Sequence, residues 1–366
     1  MNMIKTTLPI KYWNDSNTRI ISPEDENGRK IEVAYFFEVQ FTGHSIHYPQ
    51  PLIYSHYNKN LILPTKEMFM SLGRGTVYED TMEYDVDLAD IESKHNEFVY
   101  YFVFNTDNYF HFIYDTLPYL YGYFNEKKYF PNLKLLVSPP VGKIDLHPFV
   151  WDTFELLGIT RGDVLFLSDK TRYKTVIVGS SLTHDGLSDL PPHKNIFDII
   201  NRMKGNYDVV EKIYISRRSW THNNKENIGT DYTEKRRCIN EDDVVSLFKE
   251  RGFKEVFCEN LNMRQKIGLF NSAKVIAGPT GGGMVNTIFS PPETKVISID
   301  SPTFFDVNRR LKYAMSHTQL HHFTNTEFVG RIDETIESKG SLSISGGLNS
   351  PWKVDIDKLN QFLDNV

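Results

Sequence analysis

The chain has 366 residues, 40% apolar and 13% aromatic, with a net charge of −6. That length suits about two domains at one per ~150 residues, and the acidic balance argues against a general nucleic-acid binder, whose footprint is a basic domain. Two cysteines, Cys238 and Cys258, cannot make a disulfide framework or a zinc site at close spacing, and no run approaches the ~18 apolar residues of a membrane span.

The stretch to about residue 94 is rich in aromatics, prolines and asparagines and reads as a β-rich extension. Its opening, "MNMIKTTLPIKYWNDSN", lacks the uninterrupted apolar run of a signal peptide. The expected location is therefore cytoplasmic, with peripheral membrane docking left open. "EFVYYFVFN" then predicts a strand and "NYFHFIYDTLPYLYGYF" a helix. "LKLLVSP", "DVLFLSD" and "KTVIVGS" predict strands, with "HPFVWDTFELLGI" a helix between the first two. These make an α/β domain over 95–200, closed by "LSDLPPHKN" (187–195) and a connecting helix.

From about 205 the alternation is regular. "EKIYISRR" predicts a strand ending in arginines. "NEDDVVSLFKERGF" carries Val244, Val245, Leu247 and Phe248 at helical spacing, with acidic residues in its first turn and Gly252 near its end. "KEVFCEN" is a strand, "NMRQKIGLFNSA" a helix, "KVIAG" a strand, "GGMVNTIF" the opening of a helix and "TKVISID" another strand. Strands alternating with helices mean βαβ units and a parallel sheet, so this half reads as a Rossmann-like domain. The tail "DIDKLNQFLDNV" predicts a capped helix.

Gly281, Gly282 and Gly283 follow a strand and open a helix in this domain. First-turn N–H groups there are unpaired and the helix dipole favours anions. Glycines let backbone approach a phosphate and take positive φ. The competing reading is a tight strand–helix turn. The sequence is neither a Walker loop nor a strict dinucleotide fingerprint. Arg217 and Arg218 end another strand of the domain, and Arg236 and Arg237 precede its next helix. Guanidinium forks suit phosphate oxygens, so glycine N–H groups and one or two arginines can hold a pyrophosphate without a metal. Of these arginines, Arg217 is the best placed and Arg218 the least.

The ordered set "YISR", "RRCINEDD" and "ENLNMRQKIGLFNSAKVIAGPTGGGMVN" resembles the C-terminal half of glycosyltransferase family 61, which carries Y-I-S-R, R-x-x-x-N-E, E-x-x-[SN]-x-x-x-Q-[IV] and G-P-H-G-A-G-x-x-N in that order. The matches here are Tyr214 to Arg217, including Ser216, then Arg237 or Arg236, Asn240 and Glu241, then Glu259 and Gln265, then Gly278, Pro279, Gly281, Gly283 and Asn286. The resemblance implies a nucleotide-sugar donor held by these residues, with Glu259 or Glu241 accepting from the ribose hydroxyls and Glu259 favoured. Bacterial members of the family are associated with capsular polysaccharide; others transfer xylose or N-acetylglucosamine from UDP-sugars with inversion. Two positions depart: Thr280 stands where the family has histidine and Gly282 where it has alanine. Thr280 retains a hydrogen-bond donor but no charge.

"NTDNYFHFIYDTLPYLY" resembles the family's N-x-x-H-x-x-x-D-x-[LI]-P segment, with Asn108, His111, Asp115 and Pro118 in register. On a helix, i and i+4 share a face, so His111 and Asp115 project together. A carboxylate can fix an imidazole's tautomer for general-base work. The favoured assignment is His111 as base with Asp115 orienting it. The reverse, Asp107 as base, and a purely structural His–Asp pair stay open. Two D-x-D stretches, Asp85–Asp87 and Asp355–Asp357, lack the strand context of a metal motif, and Asp357 reads as a helix N-cap, so no metal or cofactor beyond the donor is expected.

The expected fold is α/β, two Rossmann-like domains facing across a cleft in the GT-B arrangement, with a β-rich N-terminal extension. Residues 1–200 supply the base and acceptor site, 201–345 hold the nucleotide-sugar, and 346–366 form a helix returning to the first domain. Closure is expected about 187–205. The expected activity is inverting transfer from a UDP-sugar to a saccharide hydroxyl. The alternatives are a nucleotide-sugar epimerase on the same architecture and a non-catalytic nucleotide- or glycan-binding member. A dinucleotide oxidoreductase fits less well, because the glycines lie in the third βα turn of the domain.

Overall fold

The computed structural model describes residues 4–12, 17–42, 51–64, 83–103, 105–140, 142–183, 190–218, 237–302, 309–329 and 350–366. The chain divides into two units. One is Met1–Asp107, Asp115–Leu146 and Gly158–Ile199; the other is Asn108–Tyr114, His147–Leu157 and Ile200–Val366. Where the sequence suggests a single cut at residue 200, two short segments of the first half thus belong to the second unit. Among the described residues no helix is long and apolar enough to cross a membrane.

The first unit is built on a ten-stranded mixed sheet. Its strands are β1 (Ile4–Tyr12), β2 (Thr18–Ser22), β3 (Ile31–Phe41), β4 (Ile53–Ser55), β5 (Asn60–Leu63), β6 (Glu83–Leu88), β7 (Ser93–Phe102), β8 (Lys134–Val137), β9 (Val164–Phe166) and β10 (Thr171–Gly179). They run in the order β6-β1-β5-β4-β3-β10-β7-β8-β9, with β2 on β3. β10, β7, β8 and β9 are mutually parallel neighbours, and β3 joins β10 antiparallel. The expected β-rich extension and Rossmann-like domain are therefore one sheet. An open edge on β10 would expose unpaired N–H and C=O groups, and β3, with Val33 and Val39 fully buried, covers it. Runs such as Val176–Val178 and Leu135–Val137 are buried throughout, as strands covered on both faces require.

The aromatic segment predicted as one helix is broken into four pieces. These are the turn α1 (Tyr109–His111), a π-helical turn Phe112–Thr116, a 3-10 turn Leu117–Tyr119 and α2 (Leu120–Lys127). Pro118 lacks the N–H that a continuous helix needs. The Tyr100 hydroxyl donates to the Tyr119 carbonyl at 2.7 Å and fills the space that side chains at Gly122 and Gly179 would take, 2.3 and 2.1 Å from their Cβ positions. Helices α3 (Pro148–Leu156) and α4 (Ile196–Ile200) complete the half-chain.

The second unit carries a five-stranded, wholly parallel sheet of β11 (Lys212–Ile215), β12 (Lys254–Val256), β13 (Val275–Pro279), β14 (Lys295–Ile299) and β15 (Gln319–Phe323). The order is β12-β11-β13-β14-β15, the doubly wound 2-1-3-4-5 arrangement. α5 (Glu241–Glu250) buries its stripe of Val244, Val245, Leu247 and Phe248. α6 (Met263–Ser272) opens with a capping box in which Asn262 and Gln265 exchange hydrogen bonds of 2.9 and 3.0 Å. The glycine-led segment is an eight-residue 3-10 helix, Gly282–Phe289, rather than the α-helix expected. α7 (Arg309–Met315) precedes β15, a strand the sequence reading did not identify.

Two short strands, β16 (Thr326–Phe328) and β17 (Trp352–Val354), pair antiparallel, and α8 (Ile356–Leu363) ends the chain. This last helix, expected to return to the first domain, is grouped with the second unit. Leu359 and Phe362 pack into the second unit's core with Phe248 and Trp352, and Arg251 donates to Asn360 and, at 2.9 Å, to Asp364. Its N-cap is Asp355, which accepts from the Lys358 N–H, not Asp357. Asp85 and Asp87 pair with Thr7 and Lys5 along the β6–β1 ladder.

Candidate functional site

In a 2-1-3-4-5 sheet the connections from strands 1 and 3 leave in opposite directions, and ligands bind at the carboxyl ends of that strand pair. Here those strands are β11 and β13. Arg217 follows the first and the glycine triplet follows the second, so the strand order itself brings them together. A Cβ added at Gly281 would lie 3.3 Å from Arg217 Nη1, and Nη1 lies 3.5 Å from the Thr280 carbonyl it points toward.

The glycines are not there for left-handed backbone. Gly281 is extended at φ 171°, and none of the three lies in the left-handed region. What they provide is closeness. A Cβ at Gly283 would meet Ile215 Cγ2 at 2.9 Å, and one at Gly278 the Ile215 carbonyl at 2.8 Å, whereas nothing in the protein lies within 4 Å of a Cβ at Gly282. Gly282 and Gly283 are half-exposed, so the loop presents backbone to an approaching ligand.

The loop and the arginine are held from beneath. The Glu241 carboxylate, at the start of α5 and 5% exposed, accepts from the Arg217 N–H at 2.7 Å and from the Tyr214 and Ser216 hydroxyls at 3.4 and 3.5 Å. Burial raises its pKa, partly offset by the Arg217 N–H and guanidinium. Asn240 caps α5 in position only; its side chain pairs with the Val354 backbone, 2.9 Å in each direction. Asn286 is fully buried, donates to the Gly283 carbonyl at 2.8 Å and accepts from the Tyr109 hydroxyl. Ser216, Glu241 and Asn286 therefore shape the site from within.

Arg217 and Arg218 differ sharply. Arg218 is paired with Glu255, at 2.6 Å, and with Asp242. Arg217 has no carboxylate within salt-bridge distance among the described residues, and burial lowers its pKa; an arginine stays charged regardless. Among the described residues its guanidinium faces the Thr280 carbonyl and feels Glu241 at longer range.

A second group of under-compensated charges stands around Cys258, whose Sγ is 4.0 Å from the Cβ position of Gly283. Oε1 of Glu259 is buried without a hydrogen-bond partner among the described residues, and burial raises its pKa. Lys266 is 6% exposed and lies over the Tyr109 ring at 4.2 Å. Burial lowers its pKa against the opposing pull of Cys258, Glu259 and Asp152. Burial also pushes the Cys258 thiol up to about 12, an unreactive value, and both cysteines are free. Counted from Glu259, the family spacing puts its glutamine at position 266. The match to Gln265 is one residue out of register, and Gln265 is the capping residue of α6. The sequence signal for Lys266 was a cation interrupting the apolar face of Met263, Ile267 and Phe270.

Thr280 is buried, and its hydroxyl is engaged inside the protein with Asp300 and with Ser298 at 2.6 Å. It therefore does not offer the ligand hydrogen bond its place in the loop suggests. Asp300, at the end of β14 and 2% exposed, also accepts from Ser298 at 2.7 Å and contacts His322 Nδ1 at 3.2 Å. Asp300 and His322 were missed, although "TKVISID" ends a strand in a carboxylate. Arg237 is exposed, and its carbonyl accepts from the Trp352 N–H; Arg236 lies outside the described residues.

Of the acid–base candidates, Asn108 caps α1 by accepting the His111 N–H at 3.2 Å, and His111 is half-buried. Asp115 is not on the α-helix that the i,i+4 argument assumes but in the π-helical turn. It has no exposed surface and lies 3.4 Å from the Thr183 hydroxyl. The Asp107 N–H donates to the Asn105 side chain at 2.8 Å. His111 falls in the second unit, Asp107 and Asp115 in the first.

A family model described as Glycosyltransferase 61 matches residues 109–297. It begins at Tyr109 and ends on β14, taking in the glycine loop, Arg217, Glu259 and Lys266. No curated protein matches the chain.

Proposed function

The chain belongs to glycosyltransferase family 61, and on that premise we propose that it moves a sugar from a nucleotide-sugar, a UDP-sugar in the simplest case, to a saccharide hydroxyl with inversion. The observation that carries this reading is the part-buried Arg217 guanidinium, beside part-exposed glycine backbone at the β11/β13 switch point and with no carboxylate at salt-bridge distance among the described residues. Partial burial of a cation without an ion-pair partner carries a desolvation cost, and a diphosphate is the ligand that would relieve it while accepting from the loop. In the transfer, the acceptor oxygen bonds to the anomeric carbon as the carbon–oxygen bond to the diphosphate breaks. The negative charge that develops on the leaving oxygen is what preorganised donors stabilise; the reading gives that role to Arg217 and the loop N–H groups rather than to a metal.

The acceptor's proton needs a base within reach. His111 suits this better than Asp115, because its ring is part-exposed and Asp115 is sealed. The orphaned Glu259 Oε1 suits a hydroxyl donor such as the ribose.

The test is a thermal-shift panel of UDP, GDP, CMP and their sugar conjugates with wild type, Arg217→Ala and His111→Ala. A ligand at ~100 times its Kd stabilises by about 2.7 kcal/mol. The expected result is a shift with one nucleotide class that Arg217→Ala loses and His111→Ala keeps, while His111→Ala loses transfer to saccharide acceptors. A shift equal in Arg217→Ala, or none with any nucleotide, would sink the reading.

A further inference from the structure

Lys266 is a second cation of this unit without a carboxylate at salt-bridge distance among the described residues, and unlike the part-buried Arg217 it is buried. Its close contact is the Tyr109 ring. A Lys on a solvated helix face would need no explanation, but Lys266 shares the buried face of α6 with Met263, Ile267 and Phe270. Burying an ammonium without a paired anion or hydrogen bonds is among the costliest things a core can do.

Its surroundings tie it to the glycine loop by two independent routes. The Tyr109 hydroxyl donates to Asn286, which in turn donates to the Gly283 carbonyl. On the other side Cys258, next in the chain to the Glu259 carboxylate that acts on Lys266, has its Sγ 4.0 Å from the Cβ position of Gly283. Arg217 is at the Gly281 end of the loop and Lys266 is tied to its Gly283 end. Beside Lys266, the orphaned Glu259 oxygen marks a place built for a polar group the protein does not supply.

We propose that Lys266 is a second cation of the donor site, its ammonium bonding a phosphate oxygen of the nucleoside diphosphate while Arg217 holds the other end, an inference that rests on the donor reading above. The apo protein tolerates the lysine through its cation–π contact with Tyr109 and the fields of Glu259 and Asp152. The diphosphate then supplies the missing anion. The site thereby keeps an internal destabilisation that ligand binding removes, a common trade between stability and function.

The experiment titrates wild type, Lys266→Met and Lys266→Arg with UDP, GDP and inorganic pyrophosphate by calorimetry, alongside apo Tm values. Methionine keeps the length and apolar stem but deletes the charge. The expected result is an apo Tm at or above wild type for Lys266→Met, with nucleoside-diphosphate affinity at least ten-fold weaker and partly restored in Lys266→Arg. Unchanged diphosphate affinity in Lys266→Met, with wild type binding normally, overturns the assignment and leaves the donor reading intact. A fall in apo Tm that tracks the loss of affinity also overturns it, because a lysine that only pins Tyr109 behaves that way. Wild type titrating with none of the three probes overturns the donor reading itself, and this assignment with it.

Discussion

Replacing Gly283 by alanine places a methyl carbon 2.9 Å from Ile215 Cγ2, where carbon pairs prefer about 3.5–4.0 Å. Ile215 is β-branched, so its Cγ2 cannot swing clear without leaving its preferred χ1 rotamer. Overpacking of this kind costs about 1–3 kcal/mol, and alanine recovers roughly 0.5–1 kcal/mol of backbone entropy. The net expectation is a destabilisation within about 0–2.5 kcal/mol, centred near 1. Gly282→Ala is the internal control, with no protein atom within 4 Å, and should stay within ~0.5 kcal/mol of wild type. Urea denaturation of both variants and of Ile215→Ala provides the measurement. Because the clash is with one methyl, Gly283→Ala should cost less in the Ile215→Ala background, a coupling of about 0.5–3 kcal/mol for contacting residues. Equal stabilities for the two glycine variants, or a cost unaltered by Ile215→Ala, would refute the close-approach argument.

Gly268→Ala should be more damaging than Gly283→Ala, at or beyond the top of the ~1–3 kcal/mol overpacking range. Its Cβ would lie 2.5–2.6 Å from the backbone of Asn206 and Tyr207, and backbone cannot rotate away; soluble yield and urea midpoint would show it. Stability should also fall as pH drops through 6.5. The His317 ring is buried against the Ser290 carbonyl at 3.0 Å, and burial lowers its pKa, as it does for His56 and His193. With the folded value below the unfolded one, the unfolded chain takes up more protons in that window, so acid favours unfolding. A Tm that is flat or rises from pH 7.5 to 5.5 would contradict this.

Several parts of this protein are written in local sequence. The stripe of α5, the capping signals of α6 and the apolar runs of β11, β13 and β14 follow from side-chain periodicity and end chemistry, which depend on near neighbours only. The glycine triplet could be placed at a strand end for the same reason. A break at Pro118 was likewise legible, although the four-piece segment from Tyr109 to Lys127 was read as one helix.

What no local pattern carries is which strands lie side by side and which charges find partners. The order β12-β11-β13 sets Arg217 next to the glycines, although Arg217 and Gly281 are far apart in the chain. Arg217 and Arg218 are adjacent and identical in sequence terms, yet only Arg218 meets Glu255 and Asp242. The same holds for Thr280, turned inward to Asp300, for α8, drawn onto the second unit's core, and for Lys266, stranded on a buried helix face. Propensity acts over a few residues of chain, whereas burial and charge pairing are properties of the space that distant segments enclose. The sequence by itself therefore determined the elements and the family of this chain. The folded structure alone decided which of its cations meet a carboxylate.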